Sequence, residues 1–232
     1  MKILGVIPAR GGSKGVPRKN IKELNGKPLI QYTADVALES ELIDTLVLSS
    51  DDNEIIEVAK KIGIDVPFVR PNDLAQDKSP TFPVIIHALE YYKSIGIEFD
   101  AVCLLQVTSP FRSVDFLNKA IKKFIDQDAD SLVSVQEVPH EYNPHWVFKP
   151  NDNEELKLVT GEKEIISRRQ NLPKTYHRDG SIYITKTSVL LNQNSLYGNK
   201  IAYIESPKEW YVNIDTMKDW GQAVELGLKL KL

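Results

Sequence analysis

Residues 7–20 read IPARGGSKGVPRKN. Gly11, Gly12 and Gly15 alternate there with the cations Arg10, Lys14, Arg18 and Lys19, directly after a short apolar run. Little side-chain bulk and concentrated positive charge suit a bound polyphosphate. Glycines let backbone N–H groups approach an anion closely, and successive N–H groups form a nest for it. Arginine and lysine neutralise its charge. Other readings compete. GGSKG fits the G-x-S-x-G nucleophile elbow with Ser13, but that elbow is a strand turning straight into a helix after several earlier strands. Here only 12 residues precede Ser13, and Pro17 disfavours helix at Val16. The Walker and G-x-G-x-x-G dinucleotide patterns are absent. A solvated basic loop needs no Gly-Gly pair next to a buried strand.

The elements around this loop alternate in type. ILGVIPA, TLVLSSD, VPFVR, DAVCLLQV and DSLVSVQEV read as strands. Between them lie amphipathic runs. PLIQYTADVALES places Leu29, Ile30, Thr33, Ala34, Ala37 and Leu38 on one helical face, with Pro28 tolerated at the first turn. DNEIIEVAKKIG has Asp51 and Glu54 spaced as a capping box and Gly63 as its stop. FPVIIHALEYYKSIG is a third helix, and a fourth starts at Ser113. This βαβ rhythm predicts an α/β fold, a mostly parallel sheet with helices on both faces. Ligands in such sheets sit at the carboxyl ends of the strands, where ARGGSKG and LLQVTSP both fall. The rhythm stops after Val138. Residues 139–176 are rich in Pro, Asn and charge and read as an insert; residues 1–138 and 177–232 form the main domain. Strands GSIYIT and KIAYIES follow, then a helix over 216–230 with a stripe of Met217, Trp220, Val224 and Leu228.

The composition bounds the function. The 232 residues carry a net charge of -3, which argues against a general nucleic-acid binder. The single cysteine, Cys103, lies in an apolar run and forms no disulfide within the chain. MKILGVIPAR holds neither a signal-peptide core nor a membrane span, so a cytoplasmic protein is expected.

The loop also carries a resemblance. IPARGGSKGVPRKN resembles the signature of the acylneuraminate cytidylyltransferase family, the CMP-sialic acid synthetases and their legionaminic and pseudaminic relatives. RPNDLAQDKSPT, LLQVTSPFR, RRQNLP, DGSIYI and NIDTMKDW follow in the family's order. The resemblance implies a Rossmann-like nucleotidyltransferase sheet and a reaction in which CTP and a nine-carbon 2-keto sugar acid give a CMP-sugar and diphosphate. Arg10, Gly11, Gly12, Ser13, Lys14, Lys19 and Asn20 match the nucleotide-phosphate loop, with Arg10 and Lys19 as the principal triphosphate contacts. Arg70 matches an arginine near the nucleotide, although an ion pair with Asp73 or Asp77 is the structural alternative. Thr81 falls near the base or ribose. Gln106, Thr108 and Ser109 offer neutral hydrogen-bond partners to a sugar, or Thr108 and Ser109 cap the next helix. Arg169 matches an arginine facing the sugar acid, whose carboxylate suits its planar fork. Tyr183 matches a tyrosine of the sugar pocket, or is a strand tyrosine in the core. NIDT falls on an Asp-x-Asp metal motif, so Asp215 and Asn213 are expected to hold Mg²⁺, with Asn213 replacing one acid. Arg10, Lys19 and Asp215 are the expected catalytic groups.

The departures lie on the sugar side. Val107 stands where proline is usual, and His177 and Arg178 stand where arginine and proline are frequent. The insert carries Tyr142, Pro144, His145 and Trp146 and resembles a dimerisation arm, so a homodimer is expected. His87, His140, His145 and His177 do not have the spacing of a zinc site. Two alternatives stand beside the reaction. One is a nucleotidyltransferase for another sugar or another NTP. The other is a non-catalytic nucleotide-sugar binder.

Overall fold

Burial alternates along the first strand. In β1 (Ile3–Pro8) of the computed structural model, Ile3 and Ile7 enter one apolar layer and Leu4 and Val6 another, as the two-residue period of a strand requires. The structure describes residues 1–231. The first layer is covered by α1 (Leu29–Leu38), α2 (Asn53–Lys61), α4 (Val114–Asp126) and α6 (Met217–Leu230), through Leu29, Ile55, Phe116 and Trp220 among others. The second is covered by α3 (Thr81–Ser94) and α5 (Thr187–Gln193), through Ile85 and Leu190. Helices therefore lie on both faces, as the alternation predicts.

The central sheet also contains β4 (Thr45–Ser49), β5 (Ala101–Leu104), β6 (Ser131–Glu137), β9 (Tyr176–Lys186) and β10 (Ile201–Glu205), in the order β10-β6-β9-β5-β1-β4. β1 pairs in parallel with β4 and β5, and β10 with β6. β9 runs antiparallel between β5 and β6. Two short hairpins complete the strands: β2 (Glu23–Leu24) with β3 (Lys27–Pro28), and β7 (Phe148–Pro150) with β8 (Leu156–Leu158).

The reversal of β9 has a local cause. β6 runs out of the sheet, and the chain returns beside it, with Gln136 opposite His177 and Glu137 opposite Tyr176. The intervening excursion holds the β7–β8 hairpin and three single 3₁₀ turns. Where β9 meets the sheet its register slips. Val135 faces Arg178 but Val133 faces Tyr183, so residues 179–182 bulge opposite Ser134 alone. Gly180 takes φ +83° at that bulge, a left-handed conformation that favours glycine.

Several expectations need correction. VPFVR is not a strand; only Asp65 bridges to Val47, and Arg70 lies beyond it on an irregular segment. The cap of α2 is Asp52, whose carboxylate accepts the N–H groups of Glu54 and Ile55, rather than Asp51. Ser113 caps α4 by accepting the Phe116 N–H, so Thr108 and Ser109 are not its caps. Leu38 is exposed at the end of α1. On α6 the buried positions are Trp220, Ala223 and Gly227, while Met217 and Leu228 are exposed. Gly227 lies on the buried face, where a Cβ would stand 2.5 Å from Asn25 Nδ2 and 3.2 Å from Phe111 Cζ.

Candidate active site

An open cleft of about 390 Å³ lies at the carboxyl ends of β1 and β5. Arg10, Ser13, Lys14, Lys19, Asn20, Arg70, Thr81, Gln106, Thr108 and Asp215 all border it. These residues come from five separate stretches of chain, and the parallel register of β1 with β5 brings the first and fourth together.

The loop after β1 is held from several sides. Asn20 is buried and its Nδ2 donates to the Arg10 carbonyl at 2.8 Å. Gly15 lies against the Asp215 carbonyl, and a Cβ there would sit 1.9 Å from that oxygen. Lys19 Nζ donates to the Ile214 carbonyl at 2.5 Å and stands 3.4 Å from Asp215 Oδ1. Burial holds the Lys19 ammonium below the ordinary lysine range, with the Asp215 charge opposing that shift. The Gly11 N–H donates to Asp51 Oδ1 at 3.1 Å, so that part of the nest is filled from within the chain. Gly12 has open space around its Cα.

Arg18 turns away from the cleft. It sits at φ +56° and pairs with Asp52 and Glu54, with Nη1 2.7 Å from Asp52 Oδ2. The pairing lowers the Asp52 carboxyl and raises the guanidinium. Arg18 therefore fastens the loop to α2 and does not border the cleft with Arg10, Lys14 and Lys19.

Arg70 is buried and donates to both the Oγ and the carbonyl of Ser49. It is not paired with Asp73 or Asp77. Burial pulls its guanidinium down to about 10, so it remains charged at neutral pH. Asp77 instead meets Arg10, at 3.3 Å, and Lys14. α3 opens at Thr81 on the cleft wall with no side-chain cap. The positive end of a helix dipole thus adds to the cations.

Beside Lys19, the capping box of α6 fixes the segment that carries Asn213 and Asp215. Asp219 accepts the N–H groups of Asp215 and Thr216, and Thr216 Oγ1 accepts that of Asp219. Asp219 is thereby committed to the helix. Asn213 Nδ2 donates to Asp215 Oδ2 at 2.7 Å. The Asp215 carboxylate and the Asn213 amide oxygen are hard donors, a set that fits Mg²⁺ completed by phosphates and water.

Three expected sugar-side residues lie apart from this cleft. Arg169 borders a second cavity of about 490 Å³ at the foot of the excursion, together with His140, His177, Lys208 and Tyr211. Ser109 is buried and its Oγ donates to the Asp179 carbonyl at 3.1 Å. Tyr183 is packed in the layer under α3 and α5, and burial pushes its phenol up to about 12.

The sequence pattern of the family described as Cytidylyltransferase matches residues 4–226. The chain belongs to that family. A pseudaminic acid cytidylyltransferase of Campylobacter jejuni is 39% identical over 94% of this chain and 93% of its own. A CMP-N,N'-diacetyllegionaminic acid synthase of Legionella pneumophila is 35% identical, over 97% and 96%. An N-acylneuraminate cytidylyltransferase of Escherichia coli is 32% identical over 98% of this chain and 52% of its own. A structure of CMP:2-keto-3-deoxy-manno-octonic acid synthetase complexed with CTP covers 100% of both chains at TM-score 0.73 and 18% identity, a likeness of fold. As a cytidylyltransferase-family cleft, the site presents Arg10, Lys14, Lys19 and Arg70 with the two acids Asp77 and Asp215. Such a set binds a polyanion and stabilises charge on a transferring phosphoryl group.

Asp77, which borders the cleft, and Arg112, which is buried against the Gln106 carbonyl, are not singled out by the sequence. Asp77 lies inside RPNDLAQDKSPT and Arg112 ends LLQVTSPFR. A charged residue shortly after a strand's apolar run is the signal that could have found Arg112.

Proposed function

We propose that this chain is a nucleotidyltransferase that activates a nonulosonic acid, a nine-carbon 2-keto sugar acid, with CTP. The anomeric hydroxyl of the sugar attacks the α-phosphorus. A C–O–P bond forms, the bond between the α- and β-phosphates breaks, diphosphate leaves, and the hydroxyl proton passes to solvent. Such a transfer needs positioning and charge stabilisation more than covalent help from the protein. Arg10, Lys14, Lys19 and Arg70 bind the triphosphate, with Asn20 holding the loop and Thr81 beside the nucleoside. Gln106 and Thr108 orient the sugar. Asp215, with the Asn213 amide oxygen, would hold Mg²⁺, which would supply positive charge to the phosphates.

The observation that carries this reading is the convergence of those four cations, Gln106 and Asp215 on one cleft at the carboxyl edge of the sheet. The Campylobacter and Legionella relatives support a pseudaminic- or legionaminic-type acid. Arg169 would meet the sugar carboxylate, which requires the second cavity to join the first when substrate is bound.

Residues 139–176 are read as a dimerisation arm, and the working form as a homodimer. The arm exposes Tyr142, Phe148, Leu156 and Ile165, an apolar surface that a second copy would cover. Sedimentation of the chain, with Phe148→Asp and Leu156→Asp as the control, tests it. A cytoplasmic location fits the free, buried Cys103. Among the described residues no helix is long and apolar enough to cross a membrane.

The test of function is diphosphate release from each NTP with Mg²⁺, against pseudaminic, legionaminic, N-acetylneuraminic and 3-deoxy-octulosonic acids. Release with CTP and one nine-carbon acid is expected. Release with another NTP or with the eight-carbon acid would move the assignment to a different nucleotidyltransferase. Tight CTP binding with no release from any acceptor would favour the non-catalytic binder.

A further inference from the structure

Arg112 borders neither large cavity, yet its guanidinium organises the turn that forms one wall of the cleft. It is buried. Nη2 donates to the carbonyls of Gln106, at 2.8 Å, and Ser109, and Nε donates to Ser181 Oγ at 3.1 Å. Nη1 has no partner among the described residues. An apolar side chain in its place would leave the Gln106 and Ser109 carbonyls without this donor, so the guanidinium is what closes the turn. What arginine offers is a rigid planar fork, here with Nη2 on two carbonyls of the turn and Nε on Ser181 of the β9 bulge.

That turn is linked onward. The Thr108 carbonyl accepts the Ile214 N–H at 2.8 Å. The Ile214 carbonyl accepts Lys19 Nζ at 2.5 Å, and the next residue is Asp215. Two hydrogen bonds thus connect the arginine-held turn to the lysine and carboxylate of the cleft. On its other side the turn meets the β9 bulge. A Cβ on Gly180 would lie 2.9 Å from Ser109 Oγ and 3.2 Å from Gln106 Oε1. The bulge is itself pinned, because Asp179 accepts from Ser134 Oγ, from the Ser181 N–H and from Ser206 Oγ. Ser181 therefore bridges Arg112 and Asp179.

We propose that Arg112 is a positioning residue for nucleotidyl transfer: it fixes the 106–109 turn and, through Thr108 and Ile214, the placement of Lys19 and Asp215. This inference rests on the reading of the cleft given above. Its test uses Arg112→Lys, which keeps the charge and loses the fork, and Arg112→Gln. Both are expected to lower kcat for diphosphate release roughly tenfold or more, as small misplacements of reacting groups do. CTP affinity measured without acceptor sugar should fall less than kcat does, because Arg10 and Lys14 of the β1 loop bind the triphosphate beside Lys19. Hydrogen exchange should quicken at 106–109 and 212–216 and not in β1 or β4. Wild-type kcat and unchanged exchange in those two segments, whatever the melting temperature, would overturn the proposal. If neither Arg112 variant folds, Ser181→Ala removes only the Nε acceptor, and unaltered kcat and exchange in that variant overturn the proposal equally. If the wild type transfers nucleotide to no sugar acid, the functional reading fails, and the exchange measurement still decides the role of Arg112.

Discussion

Gly15 touches the Asp215 carbonyl so closely that a Cβ at Gly15 would lie 1.9 Å from it. The two residues are 200 positions apart, and their contact joins the basic loop to the capped end of α6. Gly15 does not need a left-handed backbone; it needs to have no side chain. Gly15→Ala should push the 213–216 segment outward and lower kcat/KM on the order of 100-fold, the cost of about a 1 Å misplacement. Gly221→Ala, on the exposed face of α6 and outside the cleft lining, meets nothing within 4 Å and is the control, expected near wild type. Equal activity in the two variants would show that the contact does not shape the site.

Lys19 predicts a pH dependence. Its ammonium is held below the ordinary lysine range by burial. Between the folded value and the ordinary one, the unfolded chain binds more protons, so this group makes stability rise with pH across that window. Transfer activity should run the other way, falling as Lys19 loses its proton below the pH at which a free lysine would. Lys19→Arg should move that alkaline limb upward in a kcat/KM profile, and Lys19→Met should abolish it. A limb that stays in place in Lys19→Met belongs to another group.

Asp77 occupies the cations that a triphosphate would use, pairing with Arg10 and Lys14. These contacts hold the Asp77 carboxyl below its usual range. Asp77→Asn removes the competing charge and is expected to lower the KM for CTP by about two- to fivefold, the scale of an exposed ion pair. The gain should shrink at high salt, where exposed pairs are screened. A rise in KM would instead mark Asp77 as a group that shapes the loop.

Asn213→Asp places a second carboxylate beside Asp215. If Mg²⁺ is held there, the concentration needed for half activation should fall, because a charged oxygen binds a hard cation better than an amide does. The same substitution replaces the amide donor to Asp215 Oδ2 with an acid. Without metal, the two carboxylates repel, and the melting temperature should drop and recover on adding Mg²⁺. No change in the Mg²⁺ titration would show that position 213 does not contribute to metal binding.

Much of the fold was legible because its signals are local. Apolar runs and helical stripes predicted β1, β4, β5, β6 and α1 to α4, since a buried strand and an amphipathic helix write their periods directly into the chain. Gly63, at φ +89°, ends α2 as a helix-stopping glycine should. The basic loop is legible by residue type, and Gln106 and Asp215 through the resemblance to the family; all border one cleft. The caps were read less well: Asp51 and Asp52 are adjacent, and only backbone geometry selects between them.

By itself, the sequence determined most strands and helices of the main domain, which loop concentrates cations, and the ordered motifs that mark the family. The direction of β9 was decided by tertiary structure, because strand pattern has no sign and only the return path beside β6 sets it. So was the division of the cations. Arg18 and Lys19 are neighbours of like charge, yet a left-handed residue at 18 sends one to Asp52 and the other to Ile214 and Asp215. The turn that Arg112 holds by the Gln106 carbonyl is tied to Ile214 through backbone groups, the Thr108 carbonyl and the Ile214 N–H. Every residue carries those groups, so no sequence pattern records them, and only the packing of distant segments brings them into contact.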